Sequence, residues 1–253
     1  MSKSYDMIAS LGGNCSAAMQ LKNRGLRREA YPFDWVYMES EKSIWYLIEA
    51  FGNGFKDFAL EKNLVPLYDG PTTGVARYSY KDVLTGFCFV HHFNEKLVTT
   101  DAYERQMNPF RRRLARFLER IDMARDILFI LTVRFPVGIA TLKKLALVLN
   151  KLYPEKNIDL HVKEFNAKLS SPLSLVESWP LECGFSGGER HAYDAFPYSF
   201  EYASREWAFL DDIKLNGFVK PPMRGWARAV YKLWKKSGKW LNGNGYGVLG
   251  VKF

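Results

Sequence analysis

Met7-Ile8-Ala9-Ser10-Leu11-Gly12-Gly13-Asn14-Cys15-Ser16-Ala17-Ala18-Met19-Gln20-Leu21-Lys22 is the stretch whose reading decides the fold. Met7 to Leu11 is a short apolar run, the pattern of a buried strand. Gly12-Gly13-Asn14 is a turn signal, and Ser16 to Lys22 reads as a helix that Gly25 would end. Strand, glycine turn and helix in that order make the opening unit of an α/β domain.

Outward from this unit, Tyr31-Pro32-Phe33-Asp34-Trp35 is a proline- and aromatic-rich connection, and Ser43 to Phe51 reads as a second helix. Residues 53–85 read as irregular, with Gly, Pro and Thr gathered in Asp69 to Gly74. Gly86 to His92 (GFCFVHH) reads as a strand. Asp101 is placed to cap a long helix reaching Ile121, with Pro109 as a kink point. Ile127 to Val133 is the clearest buried strand. Thr141 to Leu152 has apolar residues at 142, 145, 146, 149 and 152, which is helical spacing, and Asn157 to Phe165 is a further strand. The alternation predicts an α/β fold: a three-layer, mostly parallel, Rossmann-like sheet flanked by helices. Residues 1–220 are expected to form a single catalytic-type α/β domain, and residues 221–253 a basic, tryptophan-rich helix with a glycine-rich tail.

The chain has 253 residues, 47% hydrophobic and 25% charged, enough to bury a core without disulfide or metal staples. Three cysteines, Cys15, Cys88 and Cys183, cannot all pair within one chain, which fits a reducing compartment. The segment MSKSYDMIAS lacks a basic stretch followed by an apolar one, and the apolar runs are too short to span a bilayer. A cytoplasmic location is expected. The net charge of +9 calls for an anionic partner: a phosphorylated or otherwise anionic small molecule, a glycan, or an anionic membrane surface. Nucleic acid is not expected, because no recognised nucleic-acid motif accompanies the charge.

In open α/β sheets the ligand site lies beyond the carboxyl ends of the strands. Those ends carry Gly12-Gly13-Asn14-Cys15, His91-His92 and Arg134: a nucleophile, a base and a cation. At a helix N-terminus, unpaired N–H groups and the helix dipole stabilise a thiolate and can hold an oxyanion. His91 or His92 is the natural proton acceptor for Cys15, with Asp34, Asn94 or Asn14 as the group that orients it. Gly12, Gly13, Asn14, His92 and Arg134 fall on the oxyanion and substrate side. Arg134 is placed to hold a carboxylate or phosphate in a bidentate fork. A rival base pair is His191 with Asp194, in the polar loop Gly187 to Asp194. Against these stands the plain alternative that Cys15 only packs.

Tyr5 to Ala18, Leu21-Lys22, Leu26-Arg27 and Tyr31-Pro32-Phe33-Asp34-Trp35 resemble the opening of the DUF1796 family, described as papain-like cysteine peptidases. Many of its members occur in bacterial surface-polysaccharide gene clusters. The family's strand-end His-Asp-Phe resembles His91-His92-Phe93, which implies His91 as the family histidine, with His92 standing where the acidic neighbour would be. The family's later arginine resembles Arg134. The resemblance implies a cysteine-dependent hydrolase or acyl-transfer enzyme acting in surface-polysaccharide metabolism, with Cys15 as nucleophile and His91 as base. It also implies an α+β, papain-like fold, whereas the periodicity points to a parallel, SGNH-like sheet. The alternative function is a non-catalytic or transferase-type glycan-biosynthesis protein that binds a sugar phosphate, with Cys15 structural.

Three other features carry less chemistry. Cys88-x-x-His91-His92 does not make a metal site, because 88 and 92 face one way on a strand and 91 the other. Gly245 to Gly250 formally matches a dinucleotide fingerprint but has no helix after it, so no cofactor is expected. The arginines Arg105, Arg111, Arg112, Arg113 and Arg116 read as a solvated helix face.

Residues 224–241 (RGWARAVYKLWKKSGKWL) place Trp226, Val230, Leu233, Trp234 and Leu241 near one helical face, with basic residues mostly elsewhere. Such a helix suits either docking on the core with a solvated basic face or an anionic membrane interface, where each basic residue adds about 1 kcal/mol near the surface; the second is the reading with a direct test. This would make the protein peripheral at the inner membrane face. The full chain should therefore bind phosphatidylserine vesicles at low salt and release them at high salt, and deletion of residues 222–253 should abolish binding. Equal sedimentation of both chains with vesicles would contradict the reading.

Overall fold

The computed structural model describes residues 3–67, 78–133, 135, 137–164, 176–179 and 207–216. In chain order these form β1 (Lys3–Tyr5), β2 (Met7–Ser10), α1 (Ser16–Asn23), β3 (Val36–Met38), α2 (Lys42–Asn53), β4 (Leu64–Pro66), β5 (Tyr78–Asp82) and β6 (Phe87–Phe93). There follow α3 (Thr100–Met123), β7 (Asp126–Val133), α4 (Ile139–Leu152), β8 (Asn157–Glu164), β9 (Val176–Trp179) and β10 (Ile213–Leu215). Residues 221–253 lie outside the described residues. No helix among the described residues is long and apolar enough to cross a membrane.

The fold is mixed α/β. One four-stranded sheet, β2-β7-β8-β9, is parallel throughout, and α4 supplies the crossover between β7 and β8. Its central strand β7 (DILFILTV) is buried from Ile127 to Val133, as a continuous apolar run requires in a sheet covered on both faces. A second four-stranded sheet, β3-β6-β5-β4, is antiparallel. β1 and β10 pair in parallel as a separate ribbon.

The antiparallel sheet is where the structure departs from the expected layering. Strand 86–92 was expected to join the parallel sheet, but β6 pairs with β3 and β5 instead. The reason lies in residues 53–85, read as irregular, which hold β4 and β5. The buried Asp82 carboxylate accepts N–H bonds from Leu84 (2.9 Å), Thr85 (3.2 Å) and Ala59 (3.0 Å), closing the tight β5–β6 turn. So short a connection allows only antiparallel pairing.

A ring cluster joins the two sheets to α2 and α3. Phe33 stands at its centre, 5.4 Å from Phe55, 5.4 Å from Phe58 and 5.6 Å from Phe117 between centroids. α3 presents Tyr103, Met107, Phe110, Leu114, Phe117 and Ile121 to this core, at the three- and four-residue spacing of one helix face. Thr99, not Asp101, caps it by accepting the Ala102 N–H at 3.2 Å, and the helix continues through Pro109.

The sheets meet at Gly13, which bridges Tyr37 in parallel beyond the end of β2. A Cβ added at Gly13 would sit 1.6 Å from the Thr132 carbonyl oxygen, and its φ of +99° is itself in the glycine region. Gly25 also has positive φ (+70°) but open space around it. Gly13→Ala should therefore cost about 4 kcal/mol or more, and Gly25→Ala about 1–2 kcal/mol. Denaturant unfolding of both variants measures this; similar small shifts would contradict it.

Candidate active site

The end of β2 is held by a short set of backbone bonds. The Leu11 N–H donates to the Ile130 carbonyl (2.8 Å), and the Gly12 N–H to Ser10 Oγ (3.0 Å). The Gly12 carbonyl accepts from both the Thr132 N–H (3.1 Å) and Thr132 Oγ1 (2.8 Å). The Gly13 carbonyl accepts the Met38 N–H (3.4 Å). Two successive positive-φ glycines thus turn the chain out of the sheet with no side chain in the way. They deliver it into the first turn of α1.

Cys15 is the N-cap residue of α1, half-buried, with its carbonyl accepting the Met19 N–H at 3.0 Å. Asn14 Oδ1 accepts the Ser16 N–H at 2.7 Å and also the Ser16 hydroxyl. One of the expected oxyanion donors is therefore already engaged. Asn14 is only 4% exposed, and its Nδ2 has no hydrogen-bond partner among the described residues. Cys88 is buried and donates to Glu39 Oε1 (3.3 Å), beside the Glu39–Lys81 ion pair.

A second group of side chains lies at the other end of the β3–β6 pair. Asp34 is 1% exposed; its Oδ2 accepts from Arg27 Nη2 and the Tyr31 N–H, both at 2.8 Å. Its Oδ1 has no partner among the described residues. Burial, outweighing the nearby Arg27 and Arg113 guanidinium groups, pushes the Asp34 carboxyl up to about 6. The His92 ring packs against Phe110 (4.6 Å) and Phe89 (5.6 Å). Trp35, His92, Asn94, Gln106 and Arg113 line a cavity of about 340 Å³.

The pairing register relates the two groups. Gly13, Tyr37 and Cys88 share one rung. Because the Gly13 bridge is parallel and β6 is antiparallel to β3, the chain leaves Gly13 toward Cys15 in one direction. β6 runs from Cys88 toward His91 in the other. Three residues along a strand span about 10 Å. β6 therefore carries its backbone away from the Gly13 rung before it reaches His91. Asp34 and His91 do lie at the same end of the β3–β6 pair.

The β5–β6 register also shifts, from Tyr80↔Phe89 to Tyr78↔Phe93, which puts extra residues into β6 around His91 and His92. This bulge breaks the strand's alternation. His92 contacts Phe89 while Cys88 faces Glu39, so 88 and 92 do not share a face as expected. Among the described residues no His, Cys, Asp and Glu cluster is placed to hold a metal ion. Asn94 is exposed, and its N–H donates to Gln106 Oε1 (3.1 Å). Arg134, Cys183, His191 and Asp194 lie outside the described residues, as does the His91 side chain. Sequence reading missed Arg27, Trp35, Gln106 and Arg113 as members of the second group. Only Arg113's position one turn beyond Pro109 and Phe110, on the border of the apolar stripe, pointed that way.

A half-buried thiol on a helix N-terminus, delivered by a glycine turn in a mixed α/β domain, defines a candidate thiol-enzyme site. The family model described as "Putative papain-like cysteine peptidase (DUF1796)" matches residues 6–166, and the chain belongs to that family. Uncharacterized protein R408 of Acanthamoeba polyphaga mimivirus is similar, 29% identical over 138 residues, covering 49% of this chain and 60% of the relative. The chain thus matches less than two thirds of that relative's length. No solved structure matches it significantly.

The Asp34 carboxyl makes a testable electrostatic mark. It releases its proton near 3.8 when unfolded but near 6 when folded. Between those values the folded state binds more protons, so its contribution to stability is full below about pH 4 and is lost as pH rises through about 6. The stability difference between wild type and Asp34→Asn should accordingly fall by up to about 3 kcal/mol from pH 4 to pH 7. Parallel pH–stability curves in urea unfolding would contradict the assignment.

Proposed function

We propose that the chain is a cysteine-dependent hydrolase or acyl-transfer enzyme in which Cys15 is the nucleophile. The observation that carries this reading is the double-glycine turn, which presents the half-buried Cys15 at the N-terminus of α1 beside an unpartnered buried amide, Asn14 Nδ2. Asn14 and the remaining free N–H groups of the first turn of α1 serve as the oxyanion donors. Arg134, which follows β7, anchors an anionic part of the substrate. The parallel sheet with α1 and α4 supports a Rossmann- or SGNH-like core, and the antiparallel sheet the papain-like description.

Two histidines compete as base. The resemblance speaks for His91 oriented by Asp34, which lie at the same end of β3–β6. The rung count along β6, which carries His91 away from the glycine junction, speaks for His191 with Asp194. We place the activity in the cytoplasm, on surface-polysaccharide precursors at the inner membrane face. A second reading, a sugar-phosphate-binding glycan-biosynthesis protein in which Cys15 only packs, is favoured by the cationic cavity beside His92.

Iodoacetamide and peptide-aldehyde labelling tests the first reading. Cys15 should react at least about tenfold faster than Cys88, which is buried and hydrogen-bonded. Whichever of His91→Ala and His191→Ala lowers the Cys15 rate identifies the base. Equal rates at all three cysteines, with neither histidine variant slowing Cys15, would support the second reading instead.

A further inference from the structure

α3 carries a run of arginines that look alike in sequence and differ in partners. Arg105 pairs with Glu95 (2.9 Å), and Arg111 with Glu104. Arg116 donates to the Ala30 carbonyl (3.1 Å), and Arg120 makes a two-point bond to Glu29 (2.9 and 2.6 Å). Arg112 is exposed and solvated. Arg113 is different: it is half-buried, lies over the Phe110 ring at 5.6 Å, and has no hydrogen bond or ion pair among the described residues. Its guanidinium donors are therefore available to a ligand oxyanion, which their fork geometry fits.

The surroundings favour an anion. Arg27, Arg112 and Arg116 all act on Arg113 electrostatically, against the single Asp34 carboxylate. Arg27 is already committed to Asp34. Burial pushes the Arg113 guanidinium down from its ordinary range, and a bound anion would offset this. The rest of the lining is three aromatic rings, a proline and two amides: Trp35, His92, Phe110, Pro109, Asn94 and Gln106. Arg27 covers one face of Trp35, at 5.7 Å. A cavity of about 340 Å³ admits a molecule of single-ring size.

We propose that this cavity binds a small ligand whose phosphate or carboxylate is held by Arg113 and whose ring lies against Trp35. Cys15 is not among the described residues that line this cavity, and the proposal does not depend on Cys15 being a nucleophile. Its ligand class is a monosaccharide-sized phosphate or acid, acting as substrate or as regulator.

The test is calorimetric titration of the full chain with glucose 1-phosphate, glucuronate, inorganic phosphate and glucose. Glucose 1-phosphate or glucuronate should bind more tightly than either inorganic phosphate or glucose. Arg113→Gln should weaken that binding at least about tenfold. Arg113→Lys, which keeps the charge but not the fork, should fall between, and Arg112→Gln should leave binding unchanged. Cys15→Ala should also leave it unchanged, so this proposal and the nucleophile reading fail independently. No binding by any of the four, or equal binding by wild type and Arg113→Gln, would overturn the site. Inorganic phosphate binding as tightly as glucose 1-phosphate would overturn the ring component.

Discussion

The close approach of the Gly13 backbone to the Thr132 carbonyl is the constraint on which the rest of the structure depends. At that point the parallel sheet, through β7, and the antiparallel sheet, through Tyr37 of β3, are joined by one residue that has no room for a side chain. Gly12, held by both donors of Thr132, fixes the angle at which the chain leaves β2. Cys15 follows this turn as the N-cap residue of α1.

The same junction separates two chemical environments. On one side are the thiol, the Asn14 amide and the start of α1. On the other are the Asp34 carboxyl, His92, Trp35 and the arginines of α3. The β3 strand, bridged to Gly13 at Tyr37, runs between them. The proposed thiol enzyme and the proposed sugar-phosphate binder draw on these two environments. They differ only in what Cys15 does.

Much of this was legible in the sequence where one strand or helix carries its own pattern. The strand–glycine–Cys15–helix unit, the buried β7 and the α4 periodicity all appear where the residues predict them. The parallel pairing of β2, β7 and β8 was legible too, but the direction of β6 was not, because its partner is set by the turn before it. The β5–β6 turn is closed by Asp82, whose role shows only once Ala59 is brought to it. β4 is three residues long and ends in Pro66, too short to announce itself. His92 was misassigned to a face because alternation assumes an unbroken strand, and a bulge leaves no composition mark. Arg113 read as solvated because the groups that act on it from elsewhere, Asp34 and Arg27, lie far away in sequence.

A nucleophilic Cys15 needs an imidazole to serve it. The distance, in a crystal structure of the full chain, from Cys15 Sγ to the ring nitrogens of His91 and His191 decides this directly. One of them should lie within hydrogen-bond reach, about 4 Å or less. Finding both more than about 8 Å away, with the sulfur enclosed by hydrocarbon, would contradict it.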